Sequence, residues 1–428
     1  AHNAVNNILA AKGYTVESTN GKMTADGNAD LTYTWTEDAL DTTTYATSEN
    51  GTAITNQLSS ADPNLYEGIE DTVTWLSRSD WNGTLPTETV KLALTELLKK
   101  DLKDIRYDPA DYESVDMPTL GAKNGVKLYD MIGLDYNDPK WDELLDQMTF
   151  DEMNSLIGDA FHWTMPVKSV EAPGTRDENG PQGLTASLLG NDKSQLTATA
   201  FTSEDVMAAT FNTEIMTEIG KVIGNNCLEA DIACLYGPGN NIHRTPYGGR
   251  NFEYYSEDGF LSSMMSAYEV KAIQDKGVHV VMKHFALNDQ QINQNEMLCT
   301  WADEQAIREI YLRPFEISAK VGGCKAVMSS WNYIGNQWAG ACNALLNGVL
   351  RGEWGFRGMV ITDGFHFTDY MDSDIAIRNG CDLMLKNYDV ATNHLTDTTS
   401  ATSVKAMRQA CKNIMYTAVS YTHLTLPT

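Results

Sequence analysis

From about residue 137 onward, short apolar runs alternate with longer amphipathic stretches. The apolar runs are continuous, which predicts strands buried on both faces, because a strand with one solvent face alternates apolar and polar residues. These predicted strands cover residues 205–211, 231–238, 279–285, 325–330, 358–363 and 381–387. The stretches with apolar residues at helical spacing predict helices over 141–158, 212–230, 261–277, 303–322 and 343–355.

This alternation predicts an α/β protein with a parallel sheet covered by helices on both faces. Repeated strand–helix units over residues 137–418 favour a closed (β/α)8 TIM-like barrel. A doubly wound open sheet is the alternative, but no GxGxxG motif follows the first predicted strand. We therefore expect one barrel domain over residues 137–418.

The region before residue 137 has a different composition. Residues 1–136 are rich in Thr, Asn, Asp and Ser, carry Asn-Gly turn signals, and contain one helical pattern over 87–105. We expect an irregular segment, either a linker or the remnant of an upstream domain. At the other end, the helical pattern stops, and residues 419–428 resemble a translated sequencing adaptor of the kind found in metagenomic reading frames. We therefore expect a non-native tail on a truncated protein.

Charge and cysteine usage narrow the possible functions. The formal net charge of −27 repels nucleic acid and anionic membrane surfaces and is compatible with a neutral substrate such as a sugar. No apolar run is long enough to span a bilayer. The seven cysteines are scattered without CxxC or zinc-ligand spacing, so the sequence predicts buried thiols and neither a metal nor another cofactor.

Candidate chemistry lies where the predicted strands end, which is where barrel enzymes carry their active sites. Asp363 closes one apolar run, and Lys283 with His284 closes another. Trp331 follows a third run, while Arg250 lies in a long loop after a fourth. Taken singly, each has a structural explanation, such as a helix cap or a surface ion pair. Together they suit a polyhydroxylated ligand, with fixed donors, an aromatic face and a carboxylate.

Several long motifs, in this order, resemble glycoside hydrolase family 3, the β-glucosidases and their relatives. They are YGPGNNIHRTPYGGRNFEYYSED (236 onward), KHFALNDQQ, AIREIYLRPFE, AVMSSWN and LLNGVLRGEWGFRGMVITD. The resemblance covers residues of about 150–390 and implies the barrel domain of that family.

The resemblance implies roles for individual residues. Asp363 matches the nucleophile that forms a covalent glycosyl-enzyme intermediate, and Arg250, Lys283 and His284 match residues that hold sugar hydroxyls. Trp331 stands where the family usually has Tyr. Asn179 stands where a turn of the family normally carries a substrate-binding Asp, for which nearby Asp177 could substitute.

Other positions depart from the pattern of the family. Gly364 replaces a common Trp, which leaves one wall of the site open, and Gln291 and Gln294 replace Glu and Arg. These changes bear on sugar specificity and activity. In this family the acid/base usually comes from a separate α/β-sandwich domain, which we expect upstream in a domain-permuted protein. Three carboxylates within the barrel are weaker candidates for the acid: Glu253, Glu257 and Glu353.

The sequence thus predicts a retaining β-glucosidase-like hydrolase that acts on oligosaccharides or β-glucosides, with little turnover by these 428 residues alone. The alternatives are a sugar-binding pseudoenzyme, a β-xylosidase or N-acetylglucosaminidase of the same family, and a metal-dependent barrel hydrolase. The acidic, Thr/Asn-rich leading segment favours a secreted or surface-anchored protein over a cytoplasmic one. The oligomeric state is left open.

Overall fold

The computed structural model describes residues 46–76, 93–103, 107–185, 198–365, 370–386 and 393–420, and the backbone of two strands before them. The protein divides into two compact units, residues 1–46 and 47–428. The first unit holds an antiparallel hairpin of β1 (Thr15–Thr19) and β2 (Lys22–Asp26).

The second unit is built around a six-stranded sheet. The order of its strands is β11-β8-β6-β5-β4-β3, and every pair is parallel except β3 with β4. These strands are β3 (Trp163–Thr164), β4 (Thr175–Asn179), β5 (Cys234–Gly239), β6 (His279–Phe285), β8 (Ala326–Ser329) and β11 (Met359–Ile361). A smaller sheet beside the loops contains β7 (Cys299–Thr300), β9 (Tyr333–Ile334) and β10 (Gln337–Trp338).

Two segments outside the named strands, 157–162 and 382–386, join the edges of the larger sheet into a ring. Residues 382–386 run beside β11 and contact residues 157–162, which in turn contact β4. The links are backbone hydrogen bonds from Thr362 N to Leu383 O (2.9 Å), Met384 N to Ile157 O (2.8 Å), Lys386 N to Ala160 O (2.6 Å) and Asp177 N to His162 O (2.9 Å). The predicted TIM-like α/β barrel fold is therefore confirmed.

Helices follow the strands and cover the sheet. They are α1 (Glu96–Lys103), α2 (Lys140–Leu145), α3 (Phe150–Gly158), α4 (Glu204–Ala208), α5 (Thr213–Glu229), α6 (Gly259–Gln274), α7 (Glu304–Ala306), α8 (Arg313–Lys320), α9 (Ala344–Glu353), α10 (Ser373–Arg378) and α11 (Ala401–Ser420). Helix α9 and the turn Ile307–Tyr311 between α7 and α8 are π-helical. Among the described residues, no helix has the length and apolar composition needed to cross a membrane.

The predicted strands at 231–238, 279–285, 325–330 and 358–363 correspond to β5, β6, β8 and β11. All residues of β5, β8 and β11 are buried, as expected for continuous apolar runs between two helical layers. The run at 381–387 forms only a bridge at Leu383 to Ile361, so its pairing is less regular than predicted.

Two segments differ from the prediction. Residues 205–211 were expected as a strand, but they begin within α4 and leave it at Ala209, because burial of Glu204, Met207 and Ala208 follows helical spacing. The single helix predicted over 141–158 is two helices, α2 and α3. Thr149 separates them by forming a capping box with Glu152.

Residues 47–61, which precede the predicted barrel, bind to the outside of the barrel helices. Glu304 accepts a hydrogen bond from Leu58 N (2.6 Å), and Arg308 Nη2 donates to Thr55 O (2.9 Å). Arg308 also makes a bidentate ion pair with Glu353 at 2.6 and 3.0 Å. This part of the leading segment belongs to the same compact unit as the barrel. The division of domains at residue 136 stays a prediction.

Helix α3 precedes the segment that closes the ring, and the contribution of its N-terminal cap to stability can be tested directly. We expect Thr149→Ala to lower the free energy of unfolding by about 1 kcal/mol, since the Glu152 N–H loses its acceptor. Urea denaturation of the purified protein measures this loss. Thr149→Ser, which keeps the hydroxyl, is the matched control and should restore most of the stability. Equal stability of the alanine variant and the wild type would contradict the capping role.

Candidate functional site

The residues singled out in the sequence lie near the carboxyl ends of strands or in the loop after β5. Asn179 is the last residue of β4, and Lys283 and His284 lie close to the end of β6. Asp363 follows β11 by two residues. Arg250 lies in the loop after β5. Because β4, β6 and β11 run in parallel, these ends meet at one rim of the barrel.

Asp363 is buried at this rim, with 8% of its surface exposed. Its Oδ1 accepts a hydrogen bond from Gly364 N (2.7 Å). Its Oδ2 lies 3.7 Å from His284 Nε2 and has no hydrogen-bond partner within the part of the protein that the structure describes. One carboxylate oxygen is thus held by the backbone while the other is left without a donor.

His284 is held in one tautomer by its neighbours. Arg250 Nη2 lies 3.1 Å from His284 Nε2, and a guanidinium can only donate, so Nε2 accepts this hydrogen bond. The proton of the imidazole is therefore on Nδ1, which donates to Tyr254 Oη (3.1 Å). The His284 backbone N–H donates to Asn241 Oδ1 (2.7 Å). These contacts fix the imidazole against Asp363.

Arg250, Glu253 and Lys283 extend the network away from Asp363. Arg250 Nε and Glu253 Oε1 form a close ion pair, and Glu253 Oε2 lies 3.9 Å from Lys283 Nζ. Lys283 Nζ also donates to Asn179 Oδ1 (3.2 Å). A continuous series of polar contacts therefore connects Asn179 on β4 with Asp363 beyond β11.

Burial shifts the protonation of this cluster. Burial raises the pKa of Asp363 to about 6, against the opposing effects of the Arg250 charge and the Gly364 N–H. Burial lowers the pKa of Lys283. Burial, followed by the charges of Arg250 and Lys283, holds the pKa of His284 well below its ordinary value, so this imidazole is neutral at neutral pH.

Trp331, two residues after β8, forms a half-buried wall beside Asp363. Its Nε1 donates to Gly364 O (2.7 Å), and its backbone oxygen accepts from Tyr370 Oη (3.1 Å). Gly364 is thus engaged on both sides by Asp363 and Trp331. Residues 366–369 lie outside the described residues. The expectation of an open wall stays a prediction.

The residues that depart from the pattern of glycoside hydrolase family 3 lie at different positions relative to the rim. Asp177 does not contact Lys283; its oxygens accept from Thr175 Oγ1 and Tyr236 Oη, both at 3.1 Å. Asn179 is therefore the residue of this pair that contacts Lys283. The Gln291 side chain lies beside Gly249, next to Arg250. Gln294 is buried, and its Oε1 has no hydrogen-bond partner among the described residues.

The structure adds residues that the analysis of strand ends did not single out. Tyr254 contacts His284 and accepts a hydrogen bond from Asn288 Nδ2 (3.3 Å). Asn241 binds the backbone on both sides of His284, since its Nδ2 also donates to His284 O (2.9 Å). All three lie inside the quoted motifs, so the density of polar and aromatic residues there was the available signal.

The three carboxylates that are candidate acids within the barrel lie in different surroundings. Glu253 already pairs with Arg250 and Lys283. Glu353 pairs with Arg308 on the helical layer, and Glu257 is exposed in the loop before α6. The described residues contain no cluster of His, Cys, Asp and Glu suited to a metal ion.

A cavity of about 710 Å³ lies elsewhere, between the segment around Tyr112 and Tyr136 and helices α9, α10 and α11. Its lining includes Arg351, Arg357 and Asp382, and none of the six residues at the rim. This cavity is large enough for a small ligand, but the convergent polar groups with burial-shifted pKa values lie at the rim.

Comparisons with known proteins show which family this chain resembles. The family described as "Glycosyl hydrolase family 3 N terminal domain" matches residues 185–418, which is more than half of the chain. A β-glucosidase of Rhizobium radiobacter is 37% identical over 227 residues, covering 52% of this chain and 27% of the relative. Thermostable β-glucosidase B of Acetivibrio thermocellus is 32% identical over 283 residues, covering 65% and 36%.

Solved structures show the same similarity. β-Glucosidase 3B of Thermotoga neapolitana in complex with α-D-glucose superposes with a TM-score of 0.58 at 32% identity. The match covers 65% of this protein and 42% of that one. The matched region thus spans less than half the length of these relatives. Because the family match covers residues 185–418, the chain belongs to glycosyl hydrolase family 3 and contains the N-terminal, barrel domain of that family.

Proposed function

We propose that this barrel carries the nucleophile of a retaining β-glycosidase of the β-glucosidase type, with Asp363 as that nucleophile. The observation that carries the proposal is the Oδ2 atom of Asp363, which is buried, lacks a donor among the described residues and lies beside neutral His284. An oxygen left in this state is suited to attack an anomeric carbon, because it has no hydrogen bond to lose in the reaction.

The mechanism proceeds in two displacement steps. In the first step Asp363 Oδ2 forms a bond to the anomeric carbon while the bond to the leaving-group oxygen breaks. In the second step water attacks the same carbon and releases Asp363, which retains the configuration. The charge of the carboxylate also stabilises the positive charge that develops on the sugar ring in both steps.

The remaining residues of the rim would hold the sugar. Arg250 and Lys283 present fixed cationic donors, His284 presents an imidazole held beside Asp363, and Asn179 presents an amide beside Lys283. Trp331 offers an apolar wall at the level of Asp363. Such a set suits the hydroxyls and one apolar face of a pyranose. The T. neapolitana relative was solved with α-D-glucose, which supports glucose as the first sugar to test.

The acid/base is a second carboxyl group that a retaining enzyme needs about 5 to 5.5 Å from the nucleophile. Among the described residues Glu253 is the nearest carboxylate in the network, and it is already paired with two cations. We therefore assign the acid/base to a second domain of a longer protein. The test is the full-length gene product with an aryl β-glucoside, where Asp363→Ala should abolish turnover.

A sugar-binding pseudoenzyme is the second candidate. It is favoured by Gln294, which departs from the pattern of the family and whose buried Oε1 has no partner among the described residues. The two candidates differ in whether Asp363 can form a covalent bond.

Covalent labelling separates the two candidates without needing the acid/base. We expect a 2-fluoro β-glucosyl donor with a dinitrophenolate leaving group to label the protein once, on the peptide that contains Asp363. Dinitrophenolate leaves without protonation, so the barrel alone suffices for this step. Intact mass and peptide mapping by mass spectrometry measure the label.

Asp363→Asn should remove the label, and Glu257→Gln, at an exposed carboxylate, is the matched control that should keep it. Labelling at another carboxylate would contradict the assignment of Asp363. Absence of any label in a folded protein that still binds glucose would favour the pseudoenzyme.

The pH dependence of labelling follows from the burial of Asp363. Only the ionised carboxylate attacks, and its pKa is raised to about 6, so the labelling rate should rise as pH increases through about 6 and level off above. Below that range the rate should fall about tenfold per pH unit. Rates measured across this range by mass spectrometry test this, and a midpoint near the ordinary carboxyl pKa of about 4 would show that burial does not perturb the group.

A further inference from the structure

Asn179 is followed by Gly180 at the end of β4, and an Asn-Gly pair can undergo deamidation. In an Asn-Gly pair the backbone nitrogen of glycine can attack the side-chain amide of asparagine, because glycine has no Cβ to hinder ring closure. Asn179 faces the site and is half-buried, so water can reach its amide, while Gly180 is buried.

The described residues contain four other Asn-Gly pairs, which begin at Asn50, Asn124, Asn347 and Asn379. The Asn379 pair follows helix α10, and the Asn379 amide nitrogen donates to Ile375 O (2.9 Å). Gly51 N and Gly125 N donate hydrogen bonds of 2.9 and 2.8 Å, which hold those nitrogens. The Asn347 pair lies inside helix α9. Gly180 N makes only a long contact of 3.4 Å to Tyr236 O, so its nitrogen is less firmly held.

The side-chain amide of Asn179 is also activated. Its Oδ1 accepts a hydrogen bond from Lys283 Nζ (3.2 Å), and in the described residues no other Asn of an Asn-Gly pair has its amide oxygen bound by a charged side chain. A cationic donor at this oxygen polarises the carbonyl and stabilises the oxyanion that forms when the carbon is attacked. Lys283 is buried, with 4% exposed, so the interaction is weakly screened by solvent.

We propose that Asn179 is a site of spontaneous deamidation, assisted by Lys283, which turns a neutral amide at the rim of the barrel into a carboxylate. The Gly180 nitrogen gives its proton to solvent and bonds to Cγ of Asn179, the bond from Cγ to Nδ2 breaks, and ammonia leaves. Water then opens the succinimide at one of its two carbonyls, giving aspartate or isoaspartate. The reaction needs no oxidant, reductant or further reactant.

The product changes the charge balance of the site. Before conversion, Arg250 and Lys283 face Glu253 and Asp363, so two cations meet two carboxylates. A carboxylate at residue 179 lies directly against Lys283, whose present ionic partner Glu253 is 3.9 Å away and shared with Arg250. Aspartate would therefore pair with Lys283. Its oxygens would also accept hydrogen bonds from a sugar, a consequence that rests on the proposed function.

The experiment ages the purified 428-residue protein at mildly alkaline pH and follows each Asn-Gly peptide by mass spectrometry with isoaspartate detection. We expect residue 179 to convert faster than residue 50 and residue 124, which serve as internal references in the same sample. Conversion of the references with residue 179 unchanged would overturn the proposal. So would loss of ammonia through a cross-link between Asn179 and Lys283, because the lysine would then be the attacking group.

Two variants test the assistance by Lys283. Lys283→Met should slow conversion at residue 179 by roughly 10- to 100-fold relative to the internal references, since the oxyanion loses its donor. Lys283→Arg keeps a cationic donor and should restore much of the rate. If the methionine variant does not fold, the arginine variant is compared with the wild type. Residue 179 must then still convert faster than residues 50 and 124, and loss of this order would contradict the proposal.

The effect on the site is measured separately from the modification. Asn179→Asp provides the aspartate product directly, and we expect it to be labelled by the fluoroglucosyl donor several-fold faster than the unaged protein. If Asp363 is not labelled in either protein, the proposed function fails while the mass-spectrometric result on residue 179 still stands. If labelling is equal, deamidation has no role in sugar binding.

Discussion

The structure depends on the neutralisation of four charges that the barrel removes from water. Arg250 and Lys283 lie against Glu253 and Asp363 at the carboxyl ends of the strands. Burial of a charge without a partner costs several kcal/mol, so each of these side chains fixes the position of the others. Neutral His284 separates Arg250 from Asp363 and adds no charge. The cluster is therefore balanced, yet Oδ2 of Asp363 has no donor among the described residues.

The barrel supplies this arrangement through its parallel strands. Because β4, β6, β8 and β11 run in one direction, the last residues of each strand meet at the same rim. The ring is closed by backbone hydrogen bonds of the segments 157–162 and 382–386. Helix α3, which is capped at Thr149, leads into this seam.

A cavity of large volume and the residues suited to catalysis lie at different places in this molecule. The cavity of about 710 Å³ beside α9, α10 and α11 contains structural ion pairs such as Arg351 with Asp382. The rim around Asp363 instead combines a buried carboxylate with a raised pKa and a neutral imidazole. Perturbed protonation caused by burial and neighbouring charge indicates function better than volume does. In the same buried environment, Lys283 Nζ donates a hydrogen bond to Asn179 Oδ1.

The sequence by itself determined the fold class and the candidate residues, because continuous apolar strands and amphipathic helices have different periods and the residues at strand ends are visible in the sequence. It did not predict β4, whose residues TRDEN are polar and are stabilised by partners distant in sequence. It also placed a strand at 205–211, where burial at helical spacing gives α4. Only the tertiary structure decided that Asn179, and not Asp177, contacts Lys283, and that Glu253 pairs with two cations. These are long-range contacts, and no local pattern specifies which polar side chain a buried charge will meet.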